Sequence, residues 1–269
     1  MRLGNASERW ALFPPGDEAS QGRSPLAEDG AEPAGLDAML AGLPLDVVKI
    51  VAAAAMTIDH YNDVLLGRSS TLAFAIGRLA FPLFCFALVL HLKRGAATTS
   101  YVSRLLLVGA GSQLPFAAAF KVMEANTLIT FAIAVVIAAW LRERGAFVQH
   151  GVFAAGIAAI LTPGVPEQIG TDYDIAGILF PGALLLALTG QRAHIFWAAL
   201  LFIGFNFYRE TPLAEVAVTA AGTLLGCAGV IGGAALFRGR PRVMPRYALY
   251  AFYPAHLLAL LLARALTGM

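Results

Sequence analysis

The sequence predicts an all-α, polytopic integral membrane protein of about nine transmembrane helices with a cytoplasmic N-terminus, on three observations. Of 269 residues, 58% are hydrophobic and 13% charged, whereas an average soluble domain is about 25% charged. The apolar runs are long and continuous rather than alternating, as helical spans require and barrel strands do not show. Charge is also divided unevenly: residues 1–44 hold three Arg and seven acids, a balance of −4, so residues 45–269 carry +6. Basic loops on a membrane body fit that division, and a nucleic-acid partner does not.

Residues 1–43 are rich in Pro, Gly, Ala, Ser and acids and read as a disordered acidic tail on the cytoplasmic side. They lack the basic-then-apolar order of a cleavable signal. Residues 44–269 form the membrane domain, with spans near 46–66, 71–92, 101–120, 127–142, 147–163, 174–190, 193–208, 213–237 and 244–266. Connections after the even-numbered spans carry Lys93, Arg94, Arg142, Arg144, Arg192, Arg238, Arg240 and Arg242. Those after the odd-numbered spans carry Arg68, Lys121 and Arg209. Eight bases against three place the tail and the Lys49 end of the first span inside the cell. Cys85 and Cys227 lie in apolar runs and read as free buried thiols, so no disulfide framework or metal site is expected.

The first span holds the residues best suited to chemistry. Lys49 and His60 are eleven residues apart, three turns plus roughly 20°, so they share a helix face about 16 Å apart along the axis. A charge at mid-membrane costs about 2.5–3.5 kcal/mol, which argues for use. Two readings fit: a snorkelling lysine with a packing histidine, or an ammonium gripping phosphates and an imidazole taking a proton in one catalytic tunnel. Asp63, at i+3 from His60, can fix the imidazole tautomer, and Asp59 points about 100° away toward another span.

Other polar groups within apolar runs stay open in the same way. Arg78, four residues before a helix-kinking Pro82, either pairs with an acid such as Asp59 or contacts cofactor phosphates. Tyr101 and Arg104 join Lys93 and Arg94 as a cofactor mouth or as plain inner-side charges. Ser112 and Gln113 are interhelical glue or donors to a reacting carbonyl. Tyr250, Tyr253 and His256 make one stripe along the last span. Asp172 and Asp174 are solvated loop carboxylates or a pair that meets an incoming ammonium.

Several of these residues carry a resemblance. Ile58-Asp59-His60, Gly77-Arg78-Leu79-Ala80-Phe81-Pro82-Leu83-Phe84, Tyr101 with Arg104, and Ser112-Gln113-Leu114-Pro115-Phe116 occur in that order. Asn126 with Thr127 and Thr130, and Tyr250-Ala251-Phe252-Tyr253-Pro254-Ala255-His256-Leu257, follow. Together they resemble the TraX family of pilin acetylases, and Lys49-X10-His60 resembles the Lys/Arg-X10-His signature of the wider transmembrane acyltransferases. Tyr61-Asn62 departs from the small or apolar residues usual after that histidine, and the acidic tail lies outside the pattern.

The resemblance implies an inner-membrane acetyltransferase that moves acetyl from acetyl-CoA to the N-terminal amine of a pilin subunit of a conjugative type IV secretion system. It implies no metal. His60, Asp59 and Asp63 are the expected catalytic residues. Lys49, Arg78, Arg104, Tyr101 and Gln113 are expected at the cofactor, and Asn126, Thr130, Tyr253 and His256 at the substrate or behind it. Direct transfer and a transient acetyl-histidine both fit. The rivals are a glycan O-acetyltransferase, a proton-coupled transporter and a non-enzymatic pilus assembly factor.

Overall fold

The computed structural model describes residues 35–162, 170–206 and 212–268. Residues 1–34 of the predicted tail, Glu167 and the outer-loop base Arg209 lie outside the described residues. The described chain is helical, in the order α1 Leu36–Met39, α2 Leu43–Val64, α3 Thr71–Gly77, α4 Ala80–Lys93, α5 Thr98–Phe120 and α6 Thr127–Arg142. It continues with α7 Ala146–Leu161, α8 Asp174–Leu188, α9 His194–Gly204, α10 Leu213–Ala235 and α11 Ala248–Thr267.

Each predicted apolar run is helical, the second as two pieces. The break falls at Arg78–Leu79, where Pro82 has no N–H for the carbonyl of Arg78, four residues earlier. Thr71–Lys93, α5, α10 and α11 are long and apolar enough to cross a membrane, whereas α6, α7, α8 and α9 are shorter apolar helices. α2 spans 22 residues but carries Asp46, Lys49, Asp59 and Asp63, charges that a bilayer would reject unless protein surrounds them.

Residues 36–42, assigned by sequence to the tail, instead belong to the packed body. Leu36, Met39 and Leu40 supply one apolar turn, and Leu40 is fully buried in a cluster with Leu45, Val48, Leu83 and Leu90. Gly42 then turns the chain into α2 with φ +76°, and a Cβ there would overlap the Arg240 carbonyl oxygen. Leu43 N–H donates to that same oxygen at 3.1 Å. Gly42→Ala therefore costs at least about 1–3 kcal/mol from backbone strain alone. A lower thermal midpoint in detergent than for the wild type is the expected readout.

The largest core cluster joins α4, α6, α8 and α9 through Phe81, Phe131, Phe180, Leu185, Leu201 and Phe205. It leaves α2, α5 and α11 beside one another on a second side, where Ala55, Met56, Phe116, Tyr253 and Leu257 pack. Both cysteines are free and buried, as the sequence predicts.

Candidate active site

The loop after α10 is held over the start of α2 by one carboxylate. Asp46, 1% exposed, accepts from the Val243 and Met244 amides at 2.8 Å each and lies 3.5 Å from Arg242 Nε. Sequence reading missed it, because nothing local joins residue 46 to residue 243. The consequence is that Arg242 and Arg246 hang over a cavity of about 740 Å³ between α2, α4, α5, α6 and α11. That volume lies inside the roughly 300–1,000 Å³ of small-molecule sites.

The cavity mouth is cationic. Among the described residues, Lys49, Arg94, Arg104, Arg242 and Arg246 line it, with His91 and Tyr101, against the single carboxylate of Asp46. The His91 and Tyr101 rings pack at 5.2 Å between centroids. Lys49, Arg104 and Tyr101 thus stand together as expected from sequence. The wall runs inward through Met56, Phe252 and Tyr253 to Thr127.

His60 is not in that wall, and the expectation that Lys49 and His60 face one tunnel needs correcting. Its ring, 9% exposed, turns toward α11, with Nδ1 2.8 Å from His256 Nε2, and meets Phe120 edge-on at 4.7 Å. Met56, one turn earlier on the same stripe, occupies the wall instead. His256 in turn stacks on Phe252 at 4.9 Å and meets Tyr253 edge-on at 5.5 Å, so the two histidines lie one side chain behind the cavity.

Their hydrogen bonds fix both tautomers. His256 Nδ1 is 3.1 Å from the Phe252 carbonyl oxygen, an acceptor only, so that nitrogen carries the hydrogen and Nε2 accepts. His60 Nδ1 must then donate to it, which leaves the lone pair of His60 Nε2 unused by this pair. The orienting partner assigned by sequence to Asp63 is therefore His256, 196 residues away.

Asp63 is drawn elsewhere. Arg68 clamps it through Nε at 2.9 Å and an Nη at 2.8 Å, at the surface. An exposed pair of this kind contributes about 0–1 kcal/mol. Asp63→Ala should leave the thermal midpoint within a degree or two, checked by melting curves on the purified protein.

Arg78 does not reach the large cavity either. It is buried, with Nε 3.3 Å from Asn206 Oδ1 and an Nη 2.9 Å from the Phe205 carbonyl. It shares a small separate pocket with Asp59, Asn62, Asp63, Arg68 and Phe74. Asp59 lies against Gly77, where any Cβ would collide with it. Of the two readings for Arg78, the structure places it near Asp59 rather than at the cationic mouth.

Gln113 does not line the large cavity, and its side chain is turned to the chain's own backbone rather than toward a reacting carbonyl. Its Nε2 donates to the Glu124 carbonyl at 2.6 Å, and its Oε1 accepts from the Asn126 amide and Nδ2. Asn126 also donates to the Gly109 carbonyl and caps α6 by accepting from the Leu128 and Ile129 amides. This network folds the 121–126 connection back along α5, so α6 begins beside Gly109. Thr130 is buried, its hydroxyl directed at the Asn126 carbonyl. Asn126, Thr130 and Gln113 are the scaffold beneath Thr127.

Thr127 donates its hydroxyl hydrogen to Asp172. The 170–173 segment is pinned there by Ala125, whose N–H donates to Gly170 and whose carbonyl accepts from the Asp172 amide. Asp172 is thus no solvated loop residue. Burial, opposed by the Thr127 hydrogen bond, pushes its carboxyl up to about 6; Glu124 and Asp59 add to the rise and Arg78 opposes it.

A carboxyl harder to ionise in the fold than in the unfolded chain favours folding below about pH 4, and that contribution is lost as pH rises through 6. Asp172→Asn, neutral at every pH, should match the wild-type thermal midpoint near pH 4 and exceed it by a few degrees at pH 7.5. Melting curves across that range in detergent check the sign.

These features define a helical membrane protein with a cation-mouthed cavity that leads toward a buried histidine pair. The chain belongs to the TraX family: the family model described as "TraX protein" matches residues 44–264. Among curated proteins it is similar to Protein TraX of Escherichia coli (strain K12), 34% identical over 137 residues, which cover 50% of this chain and 52% of that protein. The chain therefore spans about half the length of the curated relative it matches. No solved structure matches.

Proposed function

We propose that the protein is a multi-pass inner-membrane acetyltransferase that moves acetyl from acetyl-CoA to the N-terminal amine of a membrane-held pilin subunit. Nine crossings with a cytoplasmic N-terminus put the cationic mouth on the side where acetyl-CoA is made. The observation that carries this reading is that mouth: five cations against one carboxylate, opening a cavity that descends α2 toward His60. Lys49, Arg94, Arg104, Arg242 and Arg246 fit the phosphates of coenzyme A, and Arg side chains in particular hold phosphate through paired N–H donors. The apolar wall of Leu88, Leu105, Phe131 and Met56 suits the thinner, uncharged arm.

The bound donor supplies the acetyl group as a thioester. The chain's residues do the remainder. His60 Nε2, held with its lone pair outward by His256, takes the proton that the acceptor nitrogen loses as the N–C bond forms. The same imidazolium then returns a proton to the departing sulfur as the C–S bond breaks. An α-amine has a pKa near 7.7–8.0, so a fraction is already neutral and nucleophilic at cellular pH. Met56, unbranched and flexible, lines the cavity one turn before His60, and the wall there has to open for the imidazole to serve.

The acceptor is tested by mass spectrometry of pilin and of envelope sugars from cells with and without the gene. A gain of 42 Da on the pilin N-terminus that disappears with the gene supports the amine; acetyl lost from sugars alone transfers the proposal to a glycan hydroxyl.

A further inference from the structure

The inner end of the cavity carries chemistry opposite to its mouth. Thr127 and Tyr253 both line it. The single hydroxyl hydrogen of Thr127 is committed to Asp172, which leaves the Thr127 oxygen as an acceptor. The Tyr253 hydroxyl sits near Thr127 and within the field of Asp172. It is buried, on a residue 3% exposed, and has no partner in good hydrogen-bonding geometry among the described residues. Buried polar atoms in folded proteins are almost always paired, so an orphan on a residue that lines a cavity points to a missing ligand. Asp172 has no ion-pair partner among the described residues.

We propose that Thr127, Tyr253 and Asp172 form a subsite for a primary amine. An ammonium brings three N–H donors and a positive charge, and this floor offers two hydroxyl oxygens with a carboxylate directly behind one of them. An alcohol brings one donor and no charge, so it would leave the carboxylate uncompensated. The polarity along the cavity orients the two substrates: the five cations at the mouth repel an ammonium and attract phosphates, while the floor does the reverse. Naming the amine as acetyl acceptor rests on the function proposed above; the existence of an amine site does not.

The test uses the full chain in lipid nanodiscs at pH 7 and two probes, the peptide Ala-Val-Leu-amide with a free amine and its N-acetylated twin. Calorimetry should show the free amine binding at least about tenfold tighter than the twin. Asp172→Asn should reduce that preference to under about threefold, and so should Thr127→Val, which keeps the side-chain volume. The affinity of Asp172→Asn for acetyl-CoA, measured alongside, should stay at the wild-type value and so report an intact fold. Equal binding of the twins to the wild type, or a preference that survives Asp172→Asn, overturns the subsite. A wild type that prefers the free amine yet transfers no acetyl keeps the subsite and removes the acetyltransferase. Acetyl transfer without that preference keeps the enzyme and removes the subsite.

Discussion

Replacing His60 with alanine should lower kcat for acetyl transfer by about 10²–10⁴-fold, the usual contribution of a positioned general base. The KM for acetyl-CoA should change by less than about threefold, because the ring lies behind the cavity wall and not among the mouth cations. Initial rates with saturating peptide amine over a range of acetyl-CoA concentrations separate the two constants. His256 belongs to the same experiment. With His256→Ala, His60 Nδ1 loses its only hydrogen-bond acceptor in the pair, and the imidazole can carry its proton on either nitrogen. A fall in kcat of intermediate size is expected. Restoration by His256→Gln, whose amide oxygen can accept from Nδ1, would mark a positioning role rather than bulk packing.

Loss of a mouth cation should act on the other constant. Lys49→Ala and Arg104→Ala should each raise KM for acetyl-CoA by roughly 10- to 150-fold, the equivalent of about 1.5–3 kcal/mol for a hydrogen bond to a charged group. kcat at saturation should stay within about threefold. The Lys49 effect should shrink in high salt, since screening weakens the ammonium's attraction to phosphate in the wild type while Lys49→Ala has no such attraction to lose. Lys49→Arg should bind close to wild type. A variant that loses kcat and keeps KM would place Lys49 in the chemistry and not at the phosphates.

How much of this was legible follows from which residues speak to near neighbours and which to distant ones. The helices could be read because apolar runs and proline positions are local signals, and the break before Pro82 came from the missing N–H alone. The Lys49–Tyr101–Arg104 grouping could be read because all three sit at one end of their helices. The partner of His60 could not: Asp63 is near in sequence, yet Arg68, five residues on, takes it, and His256 arrives from the last helix. Asp46 was hidden for the same reason, since its value appears only when the 242–246 loop folds onto it.

Gln113 and Asn126 were legible as polar groups in apolar surroundings but not as a mutually satisfied scaffold, which depends on the 121–126 connection turning back along α5. Residues 36–42 were lost in the composition of the tail, although Leu36, Met39 and Leu40 carry the i, i+3, i+4 spacing of a buried turn.

The most direct measurement uses purified full-length protein in nanodiscs with radiolabelled acetyl-CoA and a free-amine peptide, comparing wild type, His60→Ala and Asp63→Ala. The account predicts label on the peptide with wild type and Asp63→Ala at similar rates, and almost none with His60→Ala. Equal labelling by wild type and His60→Ala, or no label from a wild type that fails to bind acetyl-CoA, would contradict it.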